Sequence, residues 1–195
     1  MNRLAAAVLF SVLAVPASPQ EVTEPKTGLK FASNEDGMSL LGVGVRTRTI
    51  AKVKVYVIAL YVADSALTGP LKGKAGTGDL YREIVDGDFK KRIVLKFVRD
   101  LSTEQIRDAF HDAMKGAGSK ADVWIGYFNS VVSGQEAVIT WTPGVGLETK
   151  VAGLNKAPIN DKPLASAVFA IWLGEKPIQD DLKKDLVVHA GVLIK

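Results

Sequence analysis

Residues 40–62 read LLGVGVRTRTIAKVKVYVIALYV, and this stretch decides the fold. Its second half, 52–62, is β-branched and aromatic, a composition that suits a pleated strand and not a helix. The opening residues alternate, with Lys52, Lys54 and Tyr56 on one face and Val53, Val55 and Val57 on the other. The closing residues are apolar on both faces, so that end is expected to be covered from both sides of a sheet. Residues 38–45 form a second apolar run and read as the partner strand. A reversal near Ala51 places Arg46 opposite Tyr56. The same register sets Arg48 against Lys54, an unfavourable like-charge pair unless the strands diverge or an anion lies close.

Working outward, 29–32 is a short strand set off by the turn-forming Ser33-Asn34-Glu35-Asp36-Gly37. The glycines and proline of 63–78 read as a loop, and 80–85 and 92–98 as two further strands. Ser102 followed by Gln105 is a capping box. Behind it Ile106, Ala109, Phe110, Ala113 and Met114 repeat at helical spacing. A second amphipathic stripe, Val123, Trp124, Tyr127, Phe128, Val131 and Val132, predicts a helix running to Gly134. Strand character returns over 136–142 and 147–152. Asp161 then caps a third helix, with Pro163 in its first turn and Leu164, Val168, Phe169 and Trp172 facing inward, stopped by Gly174. Pro177 opens a short fourth helix through about Leu186, and the apolar tail 187–195 is a final strand or a docking segment. Strands first, then helices, a hairpin and more helices define an α+β class: an antiparallel β-sheet packed against a layer of α-helices.

The chain has 195 residues, 47% of them hydrophobic, 24% charged and none cysteine. One domain fits that length. The absence of cysteine excludes disulfides, thiolate metal sites and a cysteine nucleophile. The net charge of +4 is spread along the chain, without the concentrated patch that phosphate-backbone binding needs, so no nucleic-acid partner is expected. Residues 1–17 combine Arg3, an apolar run over 4–15 and small residues at Val15-Pro16-Ala17, the layout of a secretory signal peptide. That run is too short to span a bilayer. The expectation is a signal peptide over 1–17, a flexible leader over 18–27, and a domain over 28–195. The protein is then exported, periplasmic or extracellular, with no stable membrane span after cleavage.

Candidate chemistry is sparse. The two histidines, His111 and His189, lack metal-ligand spacing, so neither a metal nor another cofactor is expected. Gly42-Val43-Gly44 has no third glycine and no helix behind it, so it fails as a dinucleotide motif and reads as close backbone packing or a strand bulge. The Arg46–Tyr56 pair is different. A guanidinium beside a phenol hydroxyl, between apolar walls, suits the carboxylate of a hydrophobic molecule. Pattern alone also permits the plainer arrangement, a solvated arginine at a strand end and a tyrosine with its hydroxyl in water.

Four blocks carry a resemblance: 40–62, IVLKFVRDLSTEQIRDAFHDAM (93–114), ITWTPGVGLETKVAGL (139–154) and ASAVFAIWLGEKPIQDDLKKDLV (165–187). In this order they resemble the chalcone isomerase superfamily, and most of all its bacterial chalcone isomerase-like branch. The resemblance implies an open-faced β-sandwich, with the ligand cleft between sheet and helices. It matches the family arginine to Arg46, and to Tyr56 the tyrosine that assists carboxylate binding in fatty-acid-binding members. The isomerases place a threonine there. Their tyrosine, lysine and asparagine on the following helix match Ile106, Ala109 and Ala113, and a polar position late in the third helix matches Ile171. Loss of those donors leaves little to stabilise a developing enolate. The resemblance therefore implies a non-catalytic protein binding a fatty acid or similar hydrophobic carboxylate through Arg46, Tyr56, Ile106, Ala109 and Ala113. Ile58, Leu60, Phe110, Phe128 and Trp172 are further candidate wall residues. The alternative is an isomerase or lyase with Arg46 as electrophile and Tyr56 as the proton-transfer group. A third is an interaction module whose cleft is closed.

Overall fold

The computed structural model describes residues 20–48 and 51–195; the segment 1–17 read as a signal peptide lies outside them. The strands are β1 (Glu21–Thr23), β2 (Lys30–Ala32), β3 (Asn34–Glu35), β4 (Met38–Arg48), β5 (Val53–Ala63), β6 (Lys91–Phe97), β7 (Glu136–Thr142), β8 (Gly146–Val151) and β9 (Leu154–Asn155). The helices are α1 (Asp64–Thr68), α2 (Gly78–Asp86), α3 (Thr103–Ala113), α4 (Ser119–Ile125), α5 (Lys162–Leu173), α6 (Asp180–Asp185) and α7 (Ala190–Leu193). Strands β3 to β9 form one antiparallel sheet in sequence order. Its two long strands are the halves of the stretch quoted at the outset, and Arg46 is the register partner of Tyr56.

Both faces of that sheet are covered, as the two-sided apolar end of β5 requires. Ile58, Leu60 and Val62 point into the main core beneath the helices, with Ile93, Leu95, Phe169 and Trp172. Val57, Ala59 and Tyr61 point the other way, into a smaller core closed by Phe31 of the β1–β2 hairpin. Period-two alternation thus serves two apolar layers, and the fold is the α+β arrangement expected from the pattern.

Several local expectations are corrected. Of the leader expected to be flexible over 18–27, the described residues 20–27 are held by the fold. β1 pairs with β2, and the buried carboxylate of Glu24 accepts from the backbone N–H groups of Lys26 and Thr27 and from the Thr27 hydroxyl. Residues 80–85 form a helix, not a strand: Leu80, Ile84 and Val85 lie on one helical face and pack toward α5. The loop expected over 63–78 contains α1, which buries Ala66 and Leu67. The helix expected through Gly134 ends at Ile125, because Gly126 follows. Beyond it the backbone runs irregularly to an antiparallel bridge between Leu101 and Val131. Val123 and Val132 are accordingly exposed. The like-charge pair also does not form. A register shift between Arg46 and Thr47 sets Arg48 against Val53 and Lys54 against Thr47, so the bulge separates the charges.

Other signals hold to the residue. Ser102 and Gln105 cap α3 reciprocally at 3.2 and 3.0 Å, and Asp161 Oδ1 accepts from Leu164 N at 2.7 Å. The apolar tail docks: α7 packs on β4, and His189 N donates to Leu41 O at 2.8 Å. Among the described residues no helix is long and apolar enough to cross a membrane.

Candidate functional site

Gly42 and Gly44 set the site up. They lie on the helix-facing side of β4, under α6. A Cβ on Gly42 would sit 2.1 Å from Asp185 O, and one on Gly44 would sit 2.5 Å from Leu182 Cδ1. Only hydrogen side chains let α6 lie directly on the strand, the close-packing reading of the Gly-Val-Gly motif. The next residue on that face is Arg46. It is half-buried, and its Nη1 donates to Thr47 O and, at 3.0 Å, to Gln179 Oε1 just ahead of α6.

Across the strand pair, Tyr56 is 7% exposed. Its Oη accepts from Trp172 Nε1 at 2.9 Å, which leaves its own proton to donate. Phe97 packs edge-on against the ring, centroids 6.0 Å apart. Burial pushes the phenol above its ordinary pKa, against the opposing pull of the Trp172 hydrogen bond and the Arg46 charge. The hydroxyl therefore stays protonated at neutral pH, as a donor and not as a base.

Arg46 and Tyr56 both open onto a cleft of about 800 Å³ between the sheet and α3. Ile106, Ala109, Phe110 and Ala113 line it from the helix, and Val55, Leu95 and Phe97 from the sheet. The five residues expected at the site, Arg46, Tyr56, Ile106, Ala109 and Ala113, are thus brought together, and Phe110 joins them. Ile58, Leu60 and Phe128 are fully buried core and do not face the cleft; Trp172 reaches it only through Tyr56. Ile171 is core as well. His111 is exposed, with Nδ1 3.6 Å from Asp122 Oδ1. No cluster of metal-ligating side chains occurs among the described residues.

Sequence reasoning missed the charged rim. Glu104, Asp108 and Asp112 line the cleft from α3, and Arg48, Arg99 and Lys176 line it from the loops and strand ends. The acids stand at i, i+4 and i+8, so the period that revealed the apolar stripe also carried them. All six are exposed, where an ion pair contributes about 0–1 kcal/mol. Arg46 is the cation set among apolar walls.

The fold and site define a sheet-and-helix protein with an arginine and a protonated tyrosine at the side of an apolar cleft. A family model described as chalcone isomerase-like matches residues 20–187, and the chain belongs to the chalcone isomerase-like family. It is 32% identical over 176 residues to chalcone isomerase-like protein 1 of Humulus lupulus, covering 78% of this chain and 82% of that protein. It is 23% identical to fatty-acid-binding protein 2 of Arabidopsis thaliana, over 86% of this chain but only 50% of that one. The crystal structure of an Arabidopsis thaliana fatty-acid-binding protein superposes with a TM-score of 0.75 at 21% identity, covering 90% of this chain and 99% of that one. At that identity the likeness shows the fold.

Proposed function

We propose that this chain is a non-catalytic binding protein for a fatty acid or similar hydrophobic carboxylate, held in the cleft between sheet and α3. One observation carries the reading: Arg46 and the protonated hydroxyl of Tyr56 are register partners that open together onto an apolar cleft. The cleft volume falls within the roughly 300–1,000 Å³ of small-molecule sites. An acyl tail gains about 0.8 kcal/mol per buried CH₂, and the head gains a charge-assisted hydrogen bond to Arg46 and one to Tyr56. Similarity to fatty-acid-binding proteins of Arabidopsis thaliana supports the same reading.

The isomerase alternative is disfavoured by the same geometry. Ile106, Ala109 and Ala113 line the cleft and offer no donor for a developing enolate. A closed-cleft interaction module is disfavoured by the open volume. Export follows from the segment 1–17, with cleavage after Ala17 and a mature chain outside the cytoplasm. The start of the family match at residue 20 is in keeping with that boundary, and the intact mass of the secreted chain tests it.

Native mass spectrometry of protein purified without lipid extraction tests the binding reading. A co-purified aliphatic carboxylate is the expected result. A ligand-free spectrum, together with chalcone cyclisation above the spontaneous rate that disappears in Arg46→Ala, would favour the enzyme instead.

A further inference from the structure

Gln179 stands at the N-cap of α6, yet its side chain makes no capping bond to that helix. It is turned onto β4. Strand β3 pairs only with Met38 and Ser39, so farther along, at Val45–Thr47, β4 is the outer strand of the sheet. There Gln179 Nε2 donates to Val45 O at 3.3 Å and Oε1 accepts from Thr47 N at 2.9 Å. A carbonyl and an N–H two residues apart on one edge are the pair that a neighbouring antiparallel strand would satisfy. A primary amide carries the same donor and acceptor as a peptide unit, so one side chain replaces a missing strand.

The same Oε1 accepts a second hydrogen bond, from Arg46 Nη1 at 3.0 Å, and Nη1 also donates to Thr47 O. The amide nitrogen thus faces Val45 O, and the oxygen faces Thr47 N and Arg46.

We propose that Gln179 is a positioning residue that commits the Nη1 end of Arg46 to the protein, so that a ligand carboxylate is taken side-on by Nε–H and Nη2–H. The guanidinium is a rigid planar fork of donors. With the Nη1 hydrogens held by Thr47 O and Gln179 Oε1, the parallel donors still free are those along the Nε–Nη2 edge. The inference rests on the carboxylate-binding reading of the same cleft.

The test is calorimetric titration of the delipidated chain with dodecanoate and with uncharged dodecanol. The ratio of the two affinities is the anion preference. Wild-type protein should prefer dodecanoate by at least about ten-fold. Gln179→Ala should cut that preference about five-fold while leaving dodecanol binding within about two-fold. Gln179→Glu keeps the side-chain volume but sets a carboxylate against Arg46, and should abolish the preference. It carries the test even if the alanine variant does not fold. In an Arg46→Ala background Gln179→Ala should change dodecanoate binding no further, since the two residues act as a unit. Equal weakening of both ligands, additive losses, or a preference retained in Gln179→Glu would each overturn the role of Gln179 while leaving the cleft reading intact. Absence of any preference in the wild type, or a preference that survives Arg46→Ala, would overturn the carboxylate reading itself and this inference with it.

Discussion

Tyr56→Phe removes one oxygen atom and separates two roles of the cleft. The ring is 7% exposed and Trp172 is 0% exposed, and the hydroxyl accepts the indole N–H at 2.9 Å. Phenylalanine fits the same space, so no cavity opens, but Trp172 Nε1–H is left buried without its acceptor. An orphaned buried donor costs about 1–3 kcal/mol. Urea unfolding followed by tryptophan fluorescence should show a lowered midpoint with an unchanged slope, since the surface exposed on unfolding is the same. The second effect is on the ligand. A hydrogen bond to a charged group contributes about 1.5–3 kcal/mol, so calorimetry with dodecanoate should show roughly ten- to hundred-fold weaker binding. The losses are separable, because the first is measured without ligand. An unchanged midpoint would show that the Trp172–Tyr56 bond contributes nothing. Dodecanoate affinity within about two-fold of wild type would refute the assignment of the Tyr56 proton to the carboxylate.

Gly42→Ala and Gly44→Ala should differ. The new Cβ at Gly42 meets backbone, Asp185 O at 2.1 Å and Leu186 C at 2.6 Å, whereas at Gly44 the nearest atom is the movable Leu182 Cδ1 at 2.5 Å. Gly42→Ala should lose about 3 kcal/mol in urea unfolding and Gly44→Ala about 1 kcal/mol; equal losses would contradict direct seating of α6 on β4. Lys91 is 0% exposed, and its ammonium donates to the carbonyls of Ile84, Val85 and Gly87 at the end of α2. Burial, with a smaller contribution from Lys162, brings its pKa down to about 7 against the attraction of Asp86, Asp88 and Glu83. Between that value and the ordinary 10.5 the unfolded chain holds the extra proton, so stability rises with pH across this window, by up to ~1.4 kcal/mol per unit. Lys91→Met should show a flatter dependence in urea unfolding from pH 7 upward, and parallel curves would refute the shift.

The site was legible where two signals coincided. Arg46 and Tyr56 emerged because a reversal near Ala51 gives the register that holds from Arg46 inward, although beside the turn the pairing is one residue off and the bulge between Arg46 and Thr47 is what brings Arg46 opposite Tyr56. The capping box at Ser102 and the cap at Asp161 were readable because each is completed within a few residues. Residues 80–85 read as a strand because the run is short and ends in the β-branched pair Ile84-Val85 before a turn, whereas Leu80, Ile84 and Val85 share a face only at helical spacing, the face that packs toward α5. Gln179 was invisible for a different reason. Its partners, Val45, Arg46 and Thr47, lie more than 130 residues away, and no local pattern marks an amide that completes a sheet edge. The ordered turn around Glu24 was hidden too, since Pro, Thr and Lys there look like a solvated leader until the carboxylate collects its three hydrogen bonds.

The central claim is that one arginine beside an apolar cleft holds the head of a hydrophobic carboxylate. Titrating delipidated wild-type and Arg46→Ala protein with dodecanoate tests it most directly. The account predicts saturable binding by the wild type and at least about ten-fold weaker binding by the variant, with the fold unchanged by circular dichroism. Equal affinity for the two proteins would contradict it.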